Sequence, residues 1–191
     1  IEGESMARIH PIPRDQMSAE QIRVNDAIAG ARSGGQAGGP FAVWLRTPEF
    51  AELAGTLGLY LRTQTTLPRR LLELTVLVTA RDWAAQYEWY AHEKNIGVAG
   101  LDADLMEDLR LGQRPDFKAP DEAVVYDVAT EIHRTKTLSA DTYQRALVTL
   151  GEQTVIDLLT VIGYYTMIAV VLVGLEVETP DGSTPLAPLA D

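Results

Sequence analysis

The chain has 191 residues, 46% apolar and 23% charged, which suits one domain with a sizeable core. It contains no cysteine, which excludes disulfides, zinc–thiolate and iron–sulfur centres and every thiol-based mechanism. Sixteen Lys and Arg against 27 Asp and Glu give a net charge of −11, so nucleic acid, which needs a basic surface, is not an expected partner.

Residues 1–17 read as an N-terminal arm, with residues 1–5 expected to be a remnant ahead of a natural start at Met6. No basic segment followed by an apolar run marks a signal peptide, and the expected compartment is the cytoplasm. A helical domain is expected over 18–178 and an extended tail, holding three prolines, over 179–191.

Ser18-Ala19-Glu20-Gln21 has the form of a capping box and opens a helix that stops at Gly30. Residues 31–40, rich in glycine, form a loop, read as a lid or an oligomer contact. No strand precedes it, so it is no phosphate cradle. A short helix over 41–46 and a longer one over 48–61 follow, the second with Pro48 in its first turn.

Pro68 opens the main feature, a helical pattern over 69–95 without internal Gly or Pro, either one long helix or two joined by a bend. Gly97 and Gly100 end it. Asp102 caps a helix to 111, Pro120 starts one running to about 136 with acids in its first turn, and Ser139 caps one ending near 151.

The last helix, 152–174, is almost wholly apolar. Residues 155–175 are long enough to cross a bilayer, but Asp157 lies inside the run and no Lys or Arg flanks it. A buried core helix or an oligomer interface is the expectation, not a membrane span. No alternating strand pattern survives, so the fold class is all-α, a single domain.

Chemistry concentrates between Arg81 and Glu93, where two tryptophans, two tyrosines and a histidine fall together. At about 100° per residue, a continuous helix would place Arg81, Ala85, Glu88 and His92 along one stripe. Glu88 would then sit one turn from His92, orienting the imidazole for proton transfer, while Arg81 would hold a substrate carboxylate. A merely structural Glu–His pair has the same spacing.

Trp89 and Tyr165 are the aromatic candidates for lining a substrate pocket, although core packing explains Trp83, Tyr87, Trp89 and Tyr90 as well. Tyr164-Tyr165 either line a cavity or pack with satisfied hydroxyls. Glu88 and His92 would give a metal only two ligands, so neither metal nor cofactor is expected. His133, near a helix end where a cation suits the dipole, reads as structural, and His10 gives no signal.

Three segments together resemble the carboxymuconolactone decarboxylase family, within the alkylhydroperoxidase D-like (AhpD-like) superfamily. They are Arg70-Leu71-Leu72-Glu73-Leu74, Val78-Thr79-Ala80-Arg81 and Gln86-Tyr87-Glu88-Trp89-Tyr90-Ala91-His92. Gly39-Pro40-Phe41, Tyr126-Asp127, Leu150-Gly151-Glu152 and Gly163-Tyr164-Tyr165 extend the likeness over most of the chain. The resemblance implies an all-helical AhpD-type bundle assembling as a homo-trimer or homo-hexamer, with the site near subunit boundaries.

In the superfamily's peroxidases a Cys-x-x-Cys pair precedes the helix histidine; the matching positions here are Ala85 and Glu88. Thiolate attack on peroxide is therefore impossible in this chain. The resemblance leaves a cofactor-free lyase or isomerase acting on a small carboxylated lactone, with Glu88 and His92 catalytic. A non-catalytic oligomer binding a small ligand or a protein, and a hydrolase using Glu88 as base, are the competing readings.

Overall fold

The computed structural model describes residues 7–30 and 36–188. The expected remnant at 1–5, the first half of the glycine loop and the last three residues lie outside that range. Among the described residues there are ten α-helices and no strand: the chain is all-α.

The N-terminal helices are set by local chemistry. In α1 (Ala19–Gly30), the Ser18 N–H donates to Gln21 Oε1 at 2.9 Å and the Gln21 N–H to Ser18 Oγ at 3.2 Å, a reciprocal capping box. A short α2 (Pro40–Trp44) and α3 (Pro48–Thr63) each begin on proline, whose missing N–H costs nothing in a first turn.

Before α2, the described end of the glycine loop is packed against the body. Ala37 is buried with its N–H on Asn25 Oδ1, and the Tyr87 ring lies over Gly38 and Gly39. A Cβ on Gly39 would fall 2.4 Å from Tyr87 Cε1, and the residue has φ +57°, so both space and backbone demand glycine there.

The axis of the bundle is α4 (Arg69–Asp82), in which every residue from Leu71 to Ala80 is buried. Its apolar side chains face several neighbours at once, chiefly the later helices α8 and α10. The Thr75 and Thr79 hydroxyls donate to Leu71 O and Thr75 O, one turn back, which satisfies them inside the core.

At residues 83–85 the helix breaks. Ala84 adopts φ +49° and the Ala85 N–H bonds back to Ala80 O, so the expected long pattern is two helices, α4 and α5 (Gln86–Glu93). Then come α6 (Ile96–Ala99), closed by left-handed Gly100, and α7 (Ala103–Arg110), whose Asp102 cap accepts the Asp104 N–H. Next are α8 (Pro120–Thr135) and α9 (Ala140–Leu150), capped by Ser139 through the Thr142 N–H.

The final helix, α10 (Glu152–Gly174), is the one described helix long and apolar enough to cross a membrane, with mean hydropathy 2.1. One face, including Val155, Leu158, Val161, Tyr165 and Ile168, is buried, and the helix packs on α4. Asp157, the charge in its apolar run, has a fixed task. Its Oδ2 accepts the Thr66 N–H at 2.7 Å and the Thr66 hydroxyl at 2.8 Å, tying the α3–α4 turn to α10. Burial alone would raise the Asp157 carboxyl; these bonds, with one from Gln153, outweigh it and hold it below the usual range.

The first and last described segments lie back on the bundle. The Arg8 N–H donates to Leu175 O and its guanidinium bonds Gly174 O and Glu176. In the tail, Leu186 is buried, and the Gln86 amide pairs with the Leu186 backbone in both directions, at 2.8 and 3.1 Å.

Candidate functional site

The break after Asp82 decides the geometry of the site. Because α5 sets off in a new direction, Arg81, Ala85, Glu88 and His92 share no continuous stripe. Arg81 instead donates to the tail carbonyls of Ala187 at 2.5 Å and Pro188 at 3.3 Å. It lines a cleft to which none of Glu88, His92, Trp89 and Tyr165 contributes.

The partner of His92 is Glu73, on α4. His92 Nδ1 lies 2.8 Å from Glu73 Oε2, and the Asn95 amide donates to Glu73 Oε1 at 3.2 Å. Arg69 stands 4.0 Å from the same carboxylate, which is itself buried. A carboxylate only accepts, so the Nδ1 proton faces Glu73 and Nε2 is left for other chemistry. That nitrogen has no hydrogen-bond partner among the described residues, while the His92 side chain keeps 16% of its surface exposed. An oriented imidazole with one available nitrogen can give or take a proton.

Glu88, expected to orient His92, does not hydrogen-bond it. The Glu88 carboxyl is buried, and neither of its oxygens has a partner among the described residues. Burial pushes it well above the ordinary carboxylate range and favours the neutral acid. An ionised carboxylate with no counter-charge would be costly there; the neutral form is the cheaper state.

Tyr165 completes the cluster from α10. Its ring meets His92 edge to face, centroids 5.3 Å apart, and meets Tyr164 at 5.2 Å. The Tyr165 hydroxyl is buried, and burial pushes the phenol up, opposed by the neighbouring Arg62 guanidinium through its charge and hydrogen bonding. The two tyrosines thus divide the expectation set on them. Tyr164 is the satisfied core residue, donating to Ala54 O at 2.9 Å through the space left by Gly58.

Trp89, the other aromatic candidate, is 1% exposed and its indole N–H is taken by Glu93 at 2.8 Å. It packs in the core and offers no free face to a substrate, a correction to the role expected of it.

His133, read as structural, packs as a buried ring and not as an exposed cation at the helix end. It is buried between α8 and α4, its Nε2 3.0 Å from Thr79 Oγ1 and its Nδ1 3.8 Å from Asp82. Burial pushes this imidazole below its ordinary value, against the pull of Asp82. The Asp–His–Thr order imitates a hydrolytic triad, but the Thr79 hydroxyl is buried and already donates to Thr75 O.

Glu73 is the partner of His92 that spacing along one helix missed. A signal was present: one carboxylate in the apolar run Leu71-Leu72-Glu73-Leu74, where burial demands a partner. Among the described residues, no group of three or more His, Asp or Glu is placed to hold a metal.

No protein-family model and no curated protein matches the chain. A solved structure from Agrobacterium tumefaciens is similar, described as a protein of unknown function and a candidate antioxidant defence protein AhpD. The TM-score is 0.66 at 14% identity, covering 72% of this chain and 95% of that one. The fold of this chain is AhpD-like.

Proposed function

We propose that this AhpD-like chain is a cofactor-free acid–base catalyst, a carboxymuconolactone decarboxylase-like lyase or isomerase acting on a small carboxylated lactone. The observation that carries the reading is the His92–Glu73 pair, an imidazole fixed through Nδ1 with Nε2 unengaged. In the proposed step the bond to the substrate carboxylate breaks and carbon dioxide leaves. The electron pair spreads into the unsaturated lactone as an enolate, and protonated His92 delivers its Nε2 proton to the carbanion carbon. His92 then regains a proton from solvent.

Glu73 acts as a positioning residue. Tyr165, whose ring meets His92 edge to face, is the candidate donor to the enolate oxygen. Glu88, kept neutral by burial, holds a second transferable proton one turn before His92. Arg81 is given no part in this step, because it lines a cleft that His92 does not reach.

The proposed assembly is a homo-trimer or homo-hexamer. Exposed apolar residues on α3 (Leu53, Leu57, Tyr60) and on α10 (Ile156, Val170, Val173) support association. Light scattering on the purified chain tests it; a monomer rejects it.

The test of the chemistry is a screen of unsaturated carboxylated lactones and β-keto acids for carbon dioxide release. Wild type should turn over at least one of them, and His92→Ala should not. Full turnover by folded His92→Ala removes the reading. A second reading, a non-catalytic oligomer that binds a small ligand or a protein, is favoured by a specific observation. Among the described residues, none of five prominent surface clefts is lined by Glu88 or His92. A folded protein inactive across the panel decides for it.

A further inference from the structure

Away from that site, the C-terminal end of α4, the segment after α7 and the outer side of α8 enclose a second depression. Two adjoining clefts, about 180 and 490 Å³, share Gly112, Tyr126, Thr130 and Arg134. Leu109 and Tyr126 form an apolar wall in the smaller one, which Arg81 and Gln113 also line.

On a chain of net charge −11, the two linings hold four arginines, residues 81, 114, 134 and 145, against three acids. The acids do not cancel all of them. Asp127 is shared by Arg114 and Arg145, at 3.2 and 3.0 Å. Glu131 accepts the Ser139 N–H, and Asp82 faces His133. Arg134 has no ion pair or side-chain hydrogen bond among the described residues, and Arg81 no carboxylate partner.

Arg81 is placed with unusual care for a cation without an acid partner among the described residues. Its outer nitrogens donate to the carbonyls of Ala187 and Pro188, which satisfy hydrogen bonds but leave the charge uncancelled. Its Nε is fully buried and has no hydrogen-bond partner among the described residues. The guanidinium lies on Gly112, φ +72°, where a Cβ would fall 3.1 Å from Nε. Glycine at 112 therefore both makes the turn and clears the space for this charge.

Two uncancelled guanidinium groups beside an apolar wall have a defined complement: an oxyanion attached to a hydrophobic body. The low-dielectric wall strengthens that attraction relative to open water. We propose that this cleft is a binding site for a small organic anion, a carboxylate or a phosphate monoester. Arg134 is its direct partner, Arg81 the fixed charge behind it, Thr130 and Gln113 its neutral polar contacts, and Leu109 and Tyr126 the surface for its apolar part. The site is separate from the Glu73–His92 pair and does not depend on the function proposed for that pair.

The test is calorimetric titration of the full chain with phenylacetate and with phenyl phosphate, using phenylacetamide as the uncharged control. One-site saturation by at least one anion is expected, with none by the amide. The preferred anion identifies the head group. Arg134 is exposed on α8, so Arg134→Gln should keep the fold while weakening binding about tenfold or more. Arg81→Gln, confirmed as folded by thermal melting, should weaken it as well. Failure of both anions to saturate, equal binding of the amide, or unchanged affinity in Arg134→Gln overturns the proposal.

Discussion

Two histidines lean on the same helix, and their rings sit in opposite surroundings. His92 meets α4 near its start, at Glu73; His133 meets it near its end, at Thr79 and Asp82. At the first contact the partner is a buried carboxylate 2.8 Å away, and the second ring nitrogen is unengaged. At the second, the Thr79 hydroxyl already donates to Thr75 O, so His133 Nε2–H must donate to it. The whole ring is buried there and burial favours its neutral form. A histidine becomes a proton-transfer group when one nitrogen is fixed and the other left accessible; with both turned into the core it becomes a packing element.

Exchanging each ring for a neutral amide should separate the two roles. His92→Gln should lower turnover on any responsive lactone by about 10²–10⁴-fold while leaving the melting temperature nearly unchanged. Steady-state kinetics and a thermal melt on the same preparation check both halves. Comparable activity would place His92 beside His133 as a structural residue.

Next in size is Glu73→Gln, which keeps shape but removes the charge that fixes the Nδ1 proton. A loss in kcat of about 10–100-fold with KM retained is expected. Nitrogen chemical shifts of His92 should report a redistribution of its tautomers, which a purely structural change would not produce.

His133→Ala should invert the pattern, leaving turnover largely intact and lowering stability by about 1–3 kcal/mol through a cavity and an unpaired Thr79 oxygen. Denaturant unfolding measures it. The sign with pH follows from the ring's lowered value. The folded state holds fewer protons than the unfolded one below the ordinary value of 6.5. Its contribution is therefore complete above that pH and is lost as pH falls below it. Replacing His133 should flatten this acid-side decline.

What was legible in the sequence was mostly what local chemistry decides. Ser18 with Gln21, Asp102 and Ser139 are caps written within four residues of the helix they start, and each forms as read. The all-helical class followed from the same periodicity. The break at Ala84 carried no Gly or Pro to announce it, because left-handed alanine is imposed there by the packing of α4 and α5 rather than by preference. That one dihedral dissolved the stripe joining Arg81 to Glu88 and His92. Glu73 was hidden for a related reason: its partner lies 19 positions away on another helix, beyond the reach of any i, i+4 rule.

Glu88 sharpens the contrast from the acid side, with the smallest of these effects. Glu73 is a buried carboxylate with partners; Glu88 is a buried carboxyl with none among the described residues. Its value in the fold is raised, so the folded state holds the proton more tightly than the unfolded chain. Stability from this group is thus present below the ordinary value of 4.5 and is lost as pH rises above it toward the raised value. Glu88→Gln, neutral at every pH, removes that decline. The variant's melting temperature relative to wild type should therefore climb with pH, by about 2–4 °C if the difference reaches about 1 kcal/mol. A flat difference from pH 4 to pH 9 would mean that Glu88 is ionised and paired in the folded protein, and the contrast with Glu73 would collapse.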